Sequence, residues 1–245
     1  MRKFGLIGFP LGHSFSKKYF AEKFSKLGLA DHQYDLFEME QIEAFEALWD
    51  DEELVGLNVT VPHKENVMPF LTRLDHSAQK VGAVNVIKKE EEGLVGYNSD
   101  FYGFQQSLLK FLNGKTIKKA LILGTGGAAK AVKSVLRDMG VELKIVSRSD
   151  GKADLTYDHI MTNKDILANV DLIVNSTPLG TFPKVDNCPL LPYEVLHSGQ
   201  FLYDLVYNPE ETLFLKNGRE QGAAAKNGYD MLELQAERSW EIWND

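Results

Sequence analysis

Residues 121–132, reading L-I-L-G-T-G-G-A-A-K-A-V, most restrict what this chain can become. A short apolar run over 120–123 stops at a glycine-rich turn, and a helix-like run follows over 128–139. Gly124, Gly126 and Ala129 keep the spacing G-x-G-x-x-G/A. In that pattern the first glycine makes a tight turn and the second lets backbone approach a pyrophosphate. The small third residue lets the helix pack closely on its strand. The helix N-terminus then offers free N–H groups and partial positive charge to phosphate. A bare glycine turn would carry the same residues, so the context decides. A second strand pattern, E-L-K-I-V-S over 142–147, follows at the distance a βαβ unit requires. The pattern predicts a dinucleotide site whose turn carries Gly124, Gly126 and Ala129.

The residues after that second strand select the nucleotide. An acidic side chain there accepts from a ribose 2′-hydroxyl, whereas an arginine suits a 2′-phosphate. The chain has Ser147-Arg148-Ser149, with Lys152 nearby. A guanidinium is a planar fork of donors matched to phosphate geometry. Asp150 pulls the other way, since an inward carboxylate would repel phosphate, and Arg148 could equally be a solvated strand-end charge. The expected cofactor is NADP(H), with Ser147 and Arg148 at its 2′-phosphate.

Strand and helix patterns alternate through both halves, which predicts βαβ units and mostly parallel sheets. Strands are expected over 3–9, 33–39, 54–61, 171–175 and 201–206, and helices over 41–49, 62–70, 101–112 and 229–243. Another helix runs from Ser16, as its N-cap, to Gly28. A hairpin is expected at 84–88 and 94–98. With 245 residues there is ample length for one large or two modest domains. No apolar run approaches the roughly 18 residues that span a bilayer. The single cysteine, Cys188, excludes an intramolecular disulfide and a cysteine-based metal cluster, which points to a cytoplasmic setting and no metal. A net charge of −8 argues against general affinity for nucleic acid or anionic membrane.

Polar residues gather where apolar ones would be expected. Asn58-Val59-Thr60-Val61-Pro62-His63-Lys64 closes a strand, and ligands of open α/β sheets sit outside the carboxyl ends of strands. A lysine in a first helical turn opposes the helix dipole by a few tenths of a kcal/mol or more, so Lys64 needs a partner or a task. Asp100, closing Gly96-Tyr97-Asn98-Ser99-Asp100, is the partner to consider, although it also suits an N-cap.

These blocks resemble the shikimate dehydrogenase family, the shikimate/quinate dehydrogenases. The similar segments are Gly12-His13-Ser14-Phe15-Ser16, Asn58 to Lys64, Gly82-Ala83-Val84-Asn85, Gly96 to Asp100, Gly124 to Ala128, Asn175-Ser176-Thr177-Pro178-Leu179-Gly180 and 228–235. The seven blocks stand in the family's order and are spread along the chain from Gly12 to Gln235. The resemblance implies a two-domain α/β protein. An N-terminal substrate domain with a mostly parallel sheet, 1–100, would be rejoined by the C-terminal helix, 228–245, and a Rossmann NADP-binding domain, 101–227, would lie between.

The activity it implies is reversible NADPH-dependent reduction of 3-dehydroshikimate to shikimate, a step of chorismate and aromatic amino acid biosynthesis. Lys64 and Asp100 would form the catalytic pair, either of which could carry the proton. Ser14 and Ser16 would bind the substrate carboxylate; Thr60, Asn85, Asp100 and Gln235 its ring hydroxyls; Tyr207 would line the cleft. The cofactor would rest on Gly124, Gly126, Gly127 and Ala128, with Thr177 and Gly228 approaching its nicotinamide half. The chain departs from the family at Val86, where threonine is usual, at Thr181, where methionine is common, and at Ser147, where asparagine is common. The last two bear on the cofactor, leaving open a quinate/shikimate dehydrogenase using NAD. A non-catalytic nucleotide-sensing protein on the same fold is the rival from another class. Between monomer and homodimer the sequence does not choose, and His13, His63 and Cys188 receive no role.

Overall fold

The structure is a computed structural model that describes every residue except His13, Asp150 and Lys152. Its first half runs β1 (Arg2–Gly8), α1 (Phe15–Leu27), β2 (His32–Glu38), β3 (Leu54–Val59), α2 (His63–Asn66), β4 (Arg73–Leu74), α3 (His76–Val81), β5 (Val86–Glu90) and β6 (Gly93–Tyr97). These strands form one sheet in the order β2-β1-β3-β5-β6-β4. β1 pairs in parallel with β2 and β3, while β3, β5 and β6 are joined antiparallel, the latter two as the expected hairpin. The second half runs α4 (Ser99–Leu112), β7 (Lys119–Leu123), α5 (Gly127–Asp138), β8 (Glu142–Ser147), β9 (Leu155–Thr156), α6 (Tyr157–Thr162), α7 (Asp165–Ala168), β10 (Leu172–Asn175), β11 (Phe201–Asp204), α8 (Leu213–Glu220), β12 (Ala224–Lys226) and α9 (Tyr229–Asn244). Its sheet, in the order β12-β11-β10-β7-β8-β9, is parallel throughout. The fold is the α/β architecture that the alternating patterns predict.

The parallel sheet is covered on both faces, which is why β7 reads as a continuous apolar run instead of alternating. Ala120 and Ile122 pack with Phe104, Leu108, Val132 and Val135 on one face. Leu121 and Leu123 pack with Ile160, Leu167, Phe214 and Leu215 on the other. In the first sheet, Phe4, Phe20, Phe24 and Tyr34 form an aromatic core with Trp243 of α9, whose indole N–H donates to Ile87 O at 2.9 Å. The chain divides into two compact units, Met1–Ser99 with Ala236–Asp245, and Asp100–Gln235.

Four local expectations are corrected. Ser16 does not cap α1: Ser14 occupies the N-cap without a side-chain cap bond, and Ser16 lies inside the first turn. The segment 41–49 is two 3₁₀ turns, Ile42–Ala44 and Glu46–Asp50, because only one apolar side chain of that stretch, Phe45, becomes fully buried and nothing rewards a continuous helix. Asp100 is not an N-cap, since α4 already begins at Ser99. Pro62 precedes α2, which stops at Asn66 well short of the expected helix end.

Candidate active site

β7 ends at Leu123, and the chain turns at Gly124 with φ of +107°, a conformation that an L side chain rarely adopts. A Cβ there would also fall 2.9 Å from Ser176 Oγ and 3.0 Å from Thr177 Cγ2. Gly126 has ordinary backbone angles, φ −73° and ψ 179°, and caps α5; a Cβ on it would meet nothing within 4 Å. Its lack of a side chain therefore serves open space above the turn, as a pyrophosphate site demands. Gly127 and Ala128 open α5, and Ala129 is buried against the core.

A cavity of about 270 Å³ lies over this turn, lined among others by Gly124, Gly126, Ser147, Arg148, Tyr157 and Thr177. Expected cofactor residues from three separate sequence blocks thus share one cavity. The Ser147 hydroxyl is turned back into its loop, donating to Ser149 O at 2.6 Å and accepting from the Ser149 N–H at 3.1 Å. It shapes the loop that presents Arg148, whose side chain is exposed. A second cavity of about 320 Å³ shares Arg148, Tyr157 and Leu179 and adds Cys188 and Leu190. The flanking Asp150 and Lys152 lie outside the described residues. Arg148, with a helix N-terminus and a glycine turn, suits a 2′-phosphorylated dinucleotide.

Thr177 follows β10, its N–H and hydroxyl both donating to Asn175 Oδ1, at 3.1 and 2.6 Å. Gly228 stands at the start of α9, where its N–H donates to Val206 O at 3.2 Å. Tyr207 is half-buried, and burial pushes its hydroxyl pKa upward. Gln235, on α9, donates from Nε2 to Leu232 O at 2.9 Å, and Asp100 is buried in the first turn of α4.

In the other unit the expected substrate groups collect at the carboxyl ends of β1 and β3. The Thr60 N–H donates to Ile7 O at 2.9 Å, and Thr60 O accepts from the His63 N–H at 2.9 Å. Lys64 is the second residue of α2, and its carbonyl accepts from the Val84 N–H at 2.7 Å. That bond ties the lysine's helix to the loop carrying Asn85. His63 is buried with Nε2 2.8 Å from Met39 O, so its neighbour's task is not its own: it anchors α2. Ser14 Oγ is buried and has no hydrogen-bond partner among the described residues.

A buried polar chain links three of the sequence blocks through Asn58, Asn85 and Ser99 and adds Tyr34 and Ser239, which no motif singles out. The Tyr34 hydroxyl donates to Asn58 Oδ1 at 2.8 Å. Asn58 Nδ2 donates to Asn85 O at 3.2 Å and to Ser239 Oγ at 3.0 Å. Ser239 and Ser99 hydroxyls stand 3.2 Å apart, and Asn85 Nδ2 donates to Ser99 Oγ at 3.0 Å. Burial drives the Tyr34 pKa far upward, and the Ser16 side chain beside it partly offsets the rise. Asn58 is legible as a polar residue in an apolar strand and Ser99 as part of a quoted block; Tyr34 and Ser239 are not, because Ser239 meets Asn58 across 181 residues of chain and Tyr34 meets it across 24.

Among the described residues no helix is long and apolar enough to cross a membrane, and no trio of His, Cys, Asp or Glu side chains is placed to hold a metal ion. A parallel sheet bearing a glycine-rich phosphate turn, with a separate α/β unit gathering an amine, hydroxyls and amides at its strand ends, defines the class of two-unit dinucleotide-binding α/β proteins.

A family profile described as the shikimate dehydrogenase substrate binding domain matches residues 6–87. The shikimate dehydrogenase (NADP(+)) of Clostridium beijerinckii is 37% identical over 265 residues, covering 100% of this chain and 93% of its own. The shikimate 5-dehydrogenase of Thermus thermophilus, solved in complex with NADP(H) and shikimate, superposes with a TM-score of 0.83 at 30% identity, over 99% of this chain and 93% of that one. The quinate dehydrogenase of Corynebacterium glutamicum in complex with NAD is more distant in sequence at 25% identity, with a TM-score of 0.86 over 99% and 93%. The chain belongs to the shikimate dehydrogenase family.

Proposed function

We propose that this chain catalyses reversible hydride transfer between NADPH and 3-dehydroshikimate, giving shikimate and NADP. The observation that carries the reading is the single cavity walled by Gly124, Gly126, Arg148 and Thr177, which fits a nicotinamide dinucleotide bearing a 2′-phosphate. Bound there, the cofactor supplies or accepts the hydride. Everything else falls to the protein.

Lys64 and Asp100 handle the proton at the substrate oxygen. That oxygen gains negative charge as hydride arrives, so a positioned donor lowers the barrier, typically by about 10²–10⁴-fold in rate. Ser14 and Ser16 hold the substrate carboxylate through hydroxyls, and the buried Ser14 Oγ is a donor without a partner among the described residues. Thr60, Asn85 and Gln235 hold ring hydroxyls, and Tyr207 contacts the substrate beside them. A site built from paired hydroxyl partners discriminates strongly, since a substrate lacking one leaves buried polar groups unpaired. We assign 1–100 with 228–245 to the substrate and 101–227 to the cofactor; the compact units differ from these bounds at Asp100 and over 228–235. The enzyme acts in the cytoplasm on small molecules, as its one cysteine supports.

The test is spectrophotometric. Purified protein is mixed with shikimate or quinate and with NADP or NAD, and reduced nicotinamide is followed. Fastest turnover with shikimate and NADP is expected. Preference for quinate and NAD would transfer the assignment to the NAD-using branch of the family, and no reduction under any pairing would refute it.

A further inference from the structure

Asp204 ends β11 and Asn175 ends β10, and the two are register partners in the parallel sheet. Both are fully buried, as is Thr212 at the N-cap of α8. The Asp204 carboxylate takes three donors: Thr212 Oγ1 at 2.6 Å, the Val206 N–H at 3.0 Å and Asn175 Nδ2 at 2.9 Å. An ionised carboxylate only accepts, so it holds the Asn175 NH₂ towards β11, with Leu179 O a longer second acceptor at 3.5 Å. Asn175 Oδ1 is thereby aimed at Thr177, where it accepts from both the N–H and the hydroxyl. A hydroxyl has one proton and two lone pairs. The Thr177 proton is committed to Asn175, and its oxygen accepts from the Leu179 N–H at 3.3 Å. One lone pair remains, on a residue that lines the cofactor cavity.

We infer that Asp204 is a positioning residue for the cofactor: through Asn175 it makes the Thr177 hydroxyl an acceptor for a hydrogen-bond donor on the nicotinamide half. The half follows from topology. β7 is central, with β8 and Arg148 on one side and β10 and Thr177 on the other. A dinucleotide across such a switch point lays its two nucleotides on opposite sides. The Arg148 side takes the 2′-phosphorylated nucleotide, which leaves the nicotinamide nucleotide to Thr177. Donors there are the carboxamide NH₂ and the ribose hydroxyls. Residual burial cost at Asp204 is consistent with a function, since desolvation pushes its pKa up to about 6 despite three donors.

The inference rests on the NADP(H) reading and is tested on the full-length protein. Dissociation constants are measured for NADPH, by its fluorescence, and for adenosine 2′,5′-bisphosphate, which carries only the Arg148 half. Asp204→Asn and Thr177→Val should each weaken NADPH by about tenfold, the worth of one hydrogen bond to a buried partner. The double variant should be no weaker than the worse single one, because both cut the same relay. Adenosine 2′,5′-bisphosphate should bind all variants like wild type, a result that mere structural damage would not give. The 3-acetylpyridine analogue of NADP, which lacks the carboxamide NH₂, separates the two donors. If Thr177→Val leaves its affinity unchanged, the carboxamide is the donor; if affinity falls as for NADPH, a ribose hydroxyl is.

Additive losses, equal loss of the bisphosphate, or unchanged NADPH affinity in Thr177→Val would each overturn the relay. Should Asp204→Asn fail to fold, Thr177→Val with the bisphosphate control still decides. A wild-type protein that binds neither NADPH nor the bisphosphate would sink the NADP(H) reading itself, and the relay with it.

Discussion

The backbone N–H of Ser99 donates to Asn85 Oδ1 at 2.7 Å, and this contact dictates which way the Asn85 amide faces. A backbone N–H can only donate, so the atom opposite must be the oxygen. The Ser99 hydroxyl reinforces it at 3.3 Å, while one N–H of the amide goes to Ser99 Oγ. Asn85 consequently has an N–H donor to offer a ring hydroxyl. Asn85→Asp replaces that donor with an acceptor and sets a carboxylate in a buried position. The KM for shikimate should rise by at least about tenfold, since leaving a buried polar group unpaired costs about 1–3 kcal/mol. An unchanged KM would remove Asn85 from the substrate site.

Lys64 lies in a four-residue helix anchored by His63 and by the bond from Val84, so truncating its side chain leaves the backbone anchors in place. Lys64→Ala should lower kcat by about 10²-fold or more while KM for shikimate changes only modestly. Steady-state rates at saturating cofactor measure both. Near wild-type kcat would reassign the proton.

Arg148 is exposed at the wall of the cofactor cavity, and its partner in the proposed complex is a dianionic phosphate. Arg148→Ser should weaken NADP by about ten- to a hundredfold, the range for a charge-assisted hydrogen bond, and leave NAD almost unaffected. The ratio of kcat/KM for the two cofactors reads the effect directly. A parallel loss with NAD would mean that the arginine serves the fold.

The two turn glycines separate stability from binding. Gly124→Ala forces a side chain into φ of +107° and against Ser176 and Thr177, which should cost about 1–3 kcal/mol of stability. Gly126→Ala meets no neighbour and adopts ordinary angles, so its Tm should stay at the wild-type value. Its methyl group instead occupies the space proposed for pyrophosphate, and NADPH affinity should drop sharply. Thermal melts with and without NADPH distinguish the pair; Gly126→Ala retaining full affinity would contradict the placement of the phosphates.

Asp204 provides a pH signature. Burial raises its pKa from 3.8 to about 6, so between those values the folded state binds more protons than the unfolded one. Stability from this group is fully present below about pH 4 and is lost as pH rises to about 6, by roughly 3 kcal/mol from a shift of about two units. Asp204→Asn removes the titration. The difference in Tm between wild type and variant should therefore move against wild type from pH 4 to pH 6 and then level off. A pH-independent difference would show that the carboxylate does not titrate in this range.

The sequence by itself determined the local chemistry: the glycine turn, the strand that follows it with Arg148, the parallel alternation, and the family of the chain. The glycine turn and the strand after it depend on spacing within one or two elements, where backbone geometry leaves few choices; the alternation and the family follow from the order of patterns along the chain. Only the tertiary structure decided that 41–49 breaks into two 3₁₀ turns, that Ser16 lies within α1 instead of capping it, and which buried polar groups meet. Tyr34, Asn58, Ser99 and Ser239 are hydrogen-bonded across as many as 181 residues of chain, and Asp204 meets Asn175 across 29. Neither propensity nor periodicity carries that information, because a buried donor finds its acceptor only when packing has brought distant strands and helices into register.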